Sequence, residues 1–168
     1  DQKNLLILTE ENQLAAYQAS YLQNWAHAPL FQNTKTQYFC FGEDFLRQLK
    51  IELQRARHFI FLEYFIIEEN SQIWAEILAI LQERISHGVE VRLIYDDLAS
   101  VLSLSGNFAQ KMDKLGIKTI AFNRFRPFLE VKINHRDHRK IAIIDNQVAF
   151  TGGINLGDLY INLIQPYG

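Results

Sequence analysis

At 168 residues and 48% hydrophobic content, the chain is long and apolar enough for one domain with a full core. Lys and Arg number 17 against 19 Asp and Glu, a net charge of −2, which argues against a sequence-independent nucleic-acid binder living on phosphate neutralisation. One cysteine, Cys40, excludes an internal disulfide and a thiolate metal cluster, and no uncharged stretch reaches the roughly 18 to 20 apolar residues that span a bilayer. Asp1 opens no signal-peptide pattern and no methionine precedes it, so the chain reads as an excised piece, expected to be soluble.

Leu14, Tyr17, Tyr21 and Trp25 recur at helical spacing, which predicts an amphipathic helix from about Thr9 to Ala26, stopped before Pro29. This is the expected linker helix of a segment 1–33, ahead of a domain spanning 34–168. Lys35 to Phe41 reads as a strand, with Cys40 a small core residue on it. Phe45, Leu49, Leu53 and Ala56 give a helix face. His58 to Ile67 is a nearly continuous apolar run, suited to a strand covered on both faces. Ile73, Ile77 and Ile80, with Trp74, Leu78, Leu81 and Ile85, mark a long helix closed by Gly88. Val89 to Tyr95 is the next strand, then a helix from about Ser105 to Leu115 and a short strand at Ile117 to Ala121. A strand through residues 138–144 and its partner at Gln147 to Thr151 complete the set. Strands alternating with helices in this way predict an α/β sandwich with a mixed, largely parallel sheet flanked by helices.

The chemistry concentrates in His138-Arg139-Lys140-Ile141-Ala142-Ile143-Ile144-Asp145. Side chains alternate along a strand, so His138 and Lys140 project to one side and Asp145, an odd number of residues on, to the other. A lysine inside an apolar strand is costly unless an anion receives it. Gly152-Gly153-Ile154-Asn155 follow, two glycines that let backbone approach a ligand and an amide that donates hydrogen bonds. A histidine, a lysine and an asparagine converging on one point make a site for a phosphate ester. His135 and His138 also form a His-x-x-His pair, but zinc needs three or four ligands and only Asp137 stands near. No metal is therefore expected, and His135 is read as a hydrogen-bonding residue. Asp96-Asp97 follows a strand end, where α/β folds place ligand groups, and is read as opening a loop and capping a helix.

The pattern His-x-Lys-x4-Asp-x6-Gly-Gly-x-x-Asn resembles the signature of the phospholipase D superfamily. The flanks, residues 134–140 and 152–160, together with Phe61-Leu62-Glu63-Tyr64-Phe65-Ile66 and Val89 to Asp97, resemble the first catalytic half of bacterial cardiolipin synthases. The chain has Ala99-Ser100 where that family often shows Gly-Ser, so this loop is expected to differ in shape. The resemblance implies a phospholipase D-like fold and transfer through a phosphohistidine on His138, with Lys140 and Asn155 on the phosphate oxygens and no cofactor. Asp145 belongs to the motif, though the parity argument favours a structural role for it.

The resemblance also implies that phosphatidylglycerol is both donor and acceptor, with cardiolipin and glycerol as products. It makes Glu63, the acid in an apolar strand, a candidate partner of a site residue. It suggests that Arg124, Phe125, Arg126 and Phe128, rings interleaved with arginines, contact a bilayer. Superfamily members use a second histidine from a second motif copy, and this chain holds one. The expected partner is thus a second half of the same chain or a second copy. Alternatives are a homodimeric single-motif phosphodiesterase or nuclease, and an inactive domain that binds anionic lipid. The full-length protein is expected at the bacterial cell membrane, held by helices this chain lacks.

Overall fold

Asn12 divides the N-terminal helical segment in two. In the computed structural model, which describes residues 2–124 and 135–161, α1 (Gln2–Glu11) ends before it and α2 (Gln13–Trp25) begins after it. Asn12 sits in extended backbone, and its side-chain oxygen accepts the N–H of Ala15 at 3.0 Å, an N-cap that starts a new helix. The single helix expected over Thr9 to Ala26 is therefore two, and Leu14, Tyr17, Tyr21 and Trp25 are all exposed. Asp1–Tyr38 forms one compact unit and Phe39–Gly168 a second.

The second unit starts without the strand expected over Lys35 to Phe41. No neighbouring strand pairs with these residues among those described, and Cys40 is exposed rather than in the core. Alternation alone does not make a strand without an edge to bond to. Phe39 instead packs edge-on against Phe45, with ring centroids 6.0 Å apart, and that ring in turn meets Phe150 at 5.4 Å. Helix α3 (Gly42–Arg55) buries Phe45, Leu46, Leu49 and Leu53, the three-and-four spacing of one apolar stripe.

Strand β1 (Phe59–Tyr64) follows, shorter than the apolar run from His58 to Ile67. It buries Ile60, Leu62 and Tyr64 and turns Phe59, Phe61 and Glu63 to the other face. Helix α4 (Gln72–Ser86) fills the core with Trp74, Ile77 and Leu81 and packs on α3. Gly88 follows it at φ 84°, a left-handed position where a side chain would be strained. Strand β2 (Glu90–Asp96), helix α5 (Phe108–Lys114), β3 (Ile117–Phe122), β4 (Lys140–Ile144) and β5 (Val148–Thr151) come next, then a 3-10 turn at Asp158–Ile161.

The sheet order is β3-β2-β1-β4-β5. Pairs β1/β2 and β2/β3 are parallel, while β1/β4 and β4/β5 are antiparallel, so β4 alone runs against the other described strands. The register places the site. Tyr64, at the end of β1, pairs with Tyr95 near the end of β2 and with Lys140 at the start of β4. The C-terminal ends of two parallel strands thus meet the head of the reversed strand at one sheet edge, where α/β sheets bind ligands. No helix among the described residues is long and apolar enough to cross a membrane.

Candidate active site

Lys140 is the first residue of β4 and is 4% exposed. Its Nζ donates to the carbonyl of His138 at 2.7 Å and lies 4.8 Å from the centre of the Phe65 ring. Both of these partners are neutral, and the Asp137 carboxylate attracts the ammonium without a direct ion pair among the described residues. Burial accordingly pushes the ammonium pKa down from its ordinary value. His138 precedes the strand, is exposed, and meets the same Phe65 ring edge-on at 4.5 Å. Phe65 therefore serves as a platform for both motif residues, a role that strand parity alone did not reveal.

Asn155 is 4% exposed, and its Oδ1 accepts the N–H of Ile66 at 3.0 Å. The neighbouring backbone holds the same alignment. Leu156 N–H donates to Ile66 at 3.2 Å and its carbonyl accepts from Glu68 N–H at 2.9 Å, with Ile67 and Leu156 bridged in parallel. Asn155 is thus docked beside the residues that follow β1, one position from Phe65. With its oxygen committed to Ile66, the amide has its N–H donors left to offer elsewhere. Gly152 and Gly153 lie just past β5 in ordinary backbone. A Cβ on Gly153 would meet nothing within 4 Å among the described residues, and one on Gly152 would only touch Phe45. Neither glycine is demanded by packing there, which leaves open backbone beside the motif.

Asp145 lies at the other end of β4. Five residues at about 3.4 Å each separate it from Lys140, roughly 17 Å along the strand. Distance, rather than the opposite face, removes it from His138. Its carboxylate accepts the N–H groups of Arg57, His58 and Phe59 at 2.7–2.8 Å. Although burial pushes this carboxyl up, those N–H groups more than offset it and hold it below the usual range. Asp145 and Asn146 both have positive φ, 52° and 55°, and Gln147 N–H bonds Ile144 at 3.0 Å, closing the tight turn into β5.

The segment before Lys140 is held by charge. Arg139 donates through its backbone N–H, Nε and Nη2 to the Asp137 carboxylate at 2.9–3.2 Å. Its Nε also lies 2.6 Å from Glu63 Oε1 on β1. Arg139, beside His138, is therefore the partner Glu63 finds. Burial first, then the adjoining Asp137 carboxyl, raises the Glu63 pKa, while the Arg139 hydrogen bonds bring Asp137 down to about 2. Asp96 is completely buried and opens a turn, not a helix: Oδ1 accepts Ala99 N–H at 3.0 Å. Asp137 and Arg139 were not singled out as site groups from sequence, and Asp96, a possible ligand group at its strand end, reads there as a loop and helix-cap residue. The run Arg-Asp-His-Arg-Lys carried the signal for the first two, since alternating charges beside the motif histidine invite pairing.

An open cleft of about 510 Å³ lies over this segment, lined by Phe122, Arg136, Asp137, His138 and Arg139. Arg124 is exposed and lines a separate cleft of about 430 Å³ with Tyr95, Asp97 and Ser100. Phe125, Arg126 and Phe128 lie outside the described residues. His135 takes part through its carbonyl, which accepts from Asn123 Nδ2 at 2.8 Å. No group of three His, Cys, Asp or Glu side chains gathers as metal ligands among the described residues.

Residues 49–163 match the family described as cardiolipin synthase, PLD-like domain. A protein of Streptococcus mutans with no assigned activity is 45% identical over 168 residues, all of this chain and 36% of that protein. A cardiolipin synthase of Halalkalibacterium halodurans is 36% identical over 143 residues, 84% of this chain and 28% of the synthase. The chain thus spans about a third of the length of these relatives. Among solved structures, NucT from Helicobacter pylori superposes with a TM-score of 0.52 at 20% identity, covering 71% of this chain and 72% of NucT. Nuc from Salmonella typhimurium, a phospholipase D family member, gives 0.50 at 18% identity, covering 70% and 69%. These two share the fold.

Proposed function

Because this chain belongs to the phospholipase D superfamily, through the cardiolipin synthase family whose domain it matches, we propose that it supplies the nucleophile-bearing site of a phosphatidyltransferase. The observation that carries this reading is the buried Lys140 ammonium, turned to the His138 carbonyl and an aromatic ring, with an attraction from the Asp137 carboxylate that does not offset its burial. Such a cation is costly until an anion docks. A phosphodiester supplies that anion at the place where an exposed imidazole waits.

Neutral His138 attacks phosphorus, a P–N bond forms and the P–O bond to glycerol breaks, leaving a phosphatidyl-histidine. The hydroxyl of a second phosphatidylglycerol then attacks the same phosphorus and releases His138, with cardiolipin and glycerol as the products. Two displacements of lower barrier replace one. Lys140 and the Asn155 amide bind the non-bridging oxygens and stabilise the charge that gathers there. The first step needs an acid for the departing glycerol, and the second needs a base for the incoming hydroxyl. In this reading a second motif provides it, from elsewhere in the same protein or from a second copy, and the reaction occurs at an anionic lipid surface.

The test uses the full-length protein with phosphatidylglycerol vesicles, and in parallel a generic phosphodiester and DNA. Cardiolipin and glycerol should form, a labelled phospho-enzyme should be trapped, and His138→Ala should abolish both. Turnover that survives in His138→Ala overturns the reading. Cleavage of DNA without cardiolipin formation transfers the site to a nuclease.

A further inference from the structure

His138 lies on a stretch, 135–139, that belongs to no helix or strand, so its position depends on what grips that stretch. Asp96 provides a grip. It ends β2, is 0% exposed, and its Oδ2 accepts the N–H of Asp137 at 3.1 Å. Its Oδ1 accepts Ala99 N–H at 3.0 Å and meets Arg136 Nη1 at 3.4 Å, an ion pair whose arginine side chain is itself only 15% exposed. Two of these three partners stand immediately before His138. On the other side, Arg139 is tied to Asp137 and to Glu63 of β1. The imidazole is thereby bracketed, with tied residues on either side of it and Phe65 beneath.

We infer that Asp96 is a positioning residue for His138, acting through the Arg136 guanidinium and the Asp137 amide. The inference rests on His138 being the nucleophile proposed above. A turn at Ala99 needs only one carboxylate oxygen. The second oxygen and the negative charge are spent on the loop, and a buried carboxylate is costly without such partners. Asp96 is anchored in the rigid sheet at the end of β2, paired in register with Phe122 of β3. It therefore transmits the sheet's position to a loop that has no ladder of its own.

Asp96→Asn tests this in the full-length protein. The amide is isosteric, has one acceptor oxygen, and carries no charge for Arg136. A displacement of about 1 Å in a reacting group costs on the order of 100-fold in rate. The kcat for phosphatidylglycerol should therefore fall about 100-fold while KM changes less than about two-fold. Arg136→Gln should have a similar effect, and the double variant should be no worse than either single one. A second readout does not need the reaction. Amide exchange at Asp137 and acylation of His138 by diethyl pyrocarbonate should both accelerate about 10-fold, with exchange in β1 and β2 unchanged. If Asp137 exchange, His138 acylation and kcat all match the parent protein, Asp96 positions nothing. Equal acceleration throughout the sheet, with Tm falling in step with kcat, makes Asp96 merely structural and also overturns the inference. If His138→Ala keeps its turnover while Asp137 exchange still responds to Asp96→Asn, the functional reading fails and the loop grip stands.

Discussion

A lysine ammonium that is 4% exposed, against a carbonyl and an aromatic ring and only partly offset by the Asp137 carboxylate, destabilises the strand that holds it. Burial lowers the Lys140 pKa, so the folded state disfavours the charged form. The linked stability is then lower when the lysine is protonated and rises as pH climbs through the folded pKa. Lys140→Met removes the charge and keeps the length. It should raise the unfolding free energy by about 1–2 kcal/mol at neutral pH, read as a shift in the urea midpoint, and lower phosphatidyl transfer by more than 100-fold. A Met variant that is both active and less stable would place Lys140 among ordinary structural lysines. Asp145 should behave in the opposite way. Asp145→Asn tolerates the left-handed turn, yet gives three backbone N–H groups one neutral acceptor. Stability should fall by about 1–2 kcal/mol, with kcat of the folded fraction nearly unchanged. Loss of turnover at normal Tm would mean that Asp145 reaches the chemistry.

At the level of elements, the segment after the motif strands is stapled to the start of α4. Ser71 caps the helix by accepting Trp74 N–H at 3.1 Å, and the Asp158 carboxylate accepts Gln72 and Ile73 N–H at 2.9 and 3.0 Å. Three helix-end donors that would otherwise lack partners are thereby satisfied. Glu68 takes the Asp158 N–H in return at 3.2 Å, and a side chain on Gly157 would collide with Glu68. This staple holds Asn155 against Ile66. Asp158→Ala should therefore lower stability by about 1–2 kcal/mol in thermal melts. It should also raise KM for phosphatidylglycerol, because the Asn155 amide loses its fixed place. An unchanged KM would show that the Ile66 and Leu156 bonds suffice to hold Asn155.

For the whole molecule, the sign of the acid response follows from its carboxylates. Asp137, held down to about 2 from an ordinary 3.8, and Asp145, Glu69 and Glu76, also lowered, stabilise the fold once ionised. That stabilisation is complete above the ordinary carboxylate values and is lost as pH falls through the lowered ones. Glu63, raised by burial and by Asp137, contributes with the opposite sign and softens the drop. Urea midpoints should be flat from pH 7 to about 5 and fall steeply between about 4 and 2. A midpoint that rises on acidification would contradict the ion pairs around Arg139. Because Phe39–Gly168 contains the sheet, its core and the motif, removing residues 1–38 should leave its circular dichroism and the pairing of Lys140 with Tyr64 intact.

What was legible in the chain is what neighbouring residues can express. The 3.6-residue repeat of Phe45, Leu49 and Leu53, and of Ile73, Ile77 and Leu81, is a local property, and α3 and α4 follow it. The apolar strands around Glu63 and Ile94 and the motif spacing of His138, Lys140 and Asn155 were legible for the same reason. Even local reading failed where a polar side chain outweighed periodicity, as when Asn12 capped α2 and cut the expected helix. Lys35 to Phe41 had the composition of a strand but no edge to pair with, and edges exist only in the assembled sheet. Which strand ends meet is settled only in the assembled sheet. Reversal of β4 against β1 sets Lys140 beside Tyr64, puts Phe65 under His138, and brings Asp96 to Asp137 across 41 residues of chain. The same reversal carries Asp145 to the far end of the strand, so length along β4 rather than side-chain parity keeps it from the histidine. These are long-range pairings, stabilised by burial and hydrogen bonds summed over the whole sheet, and no local pattern encodes them.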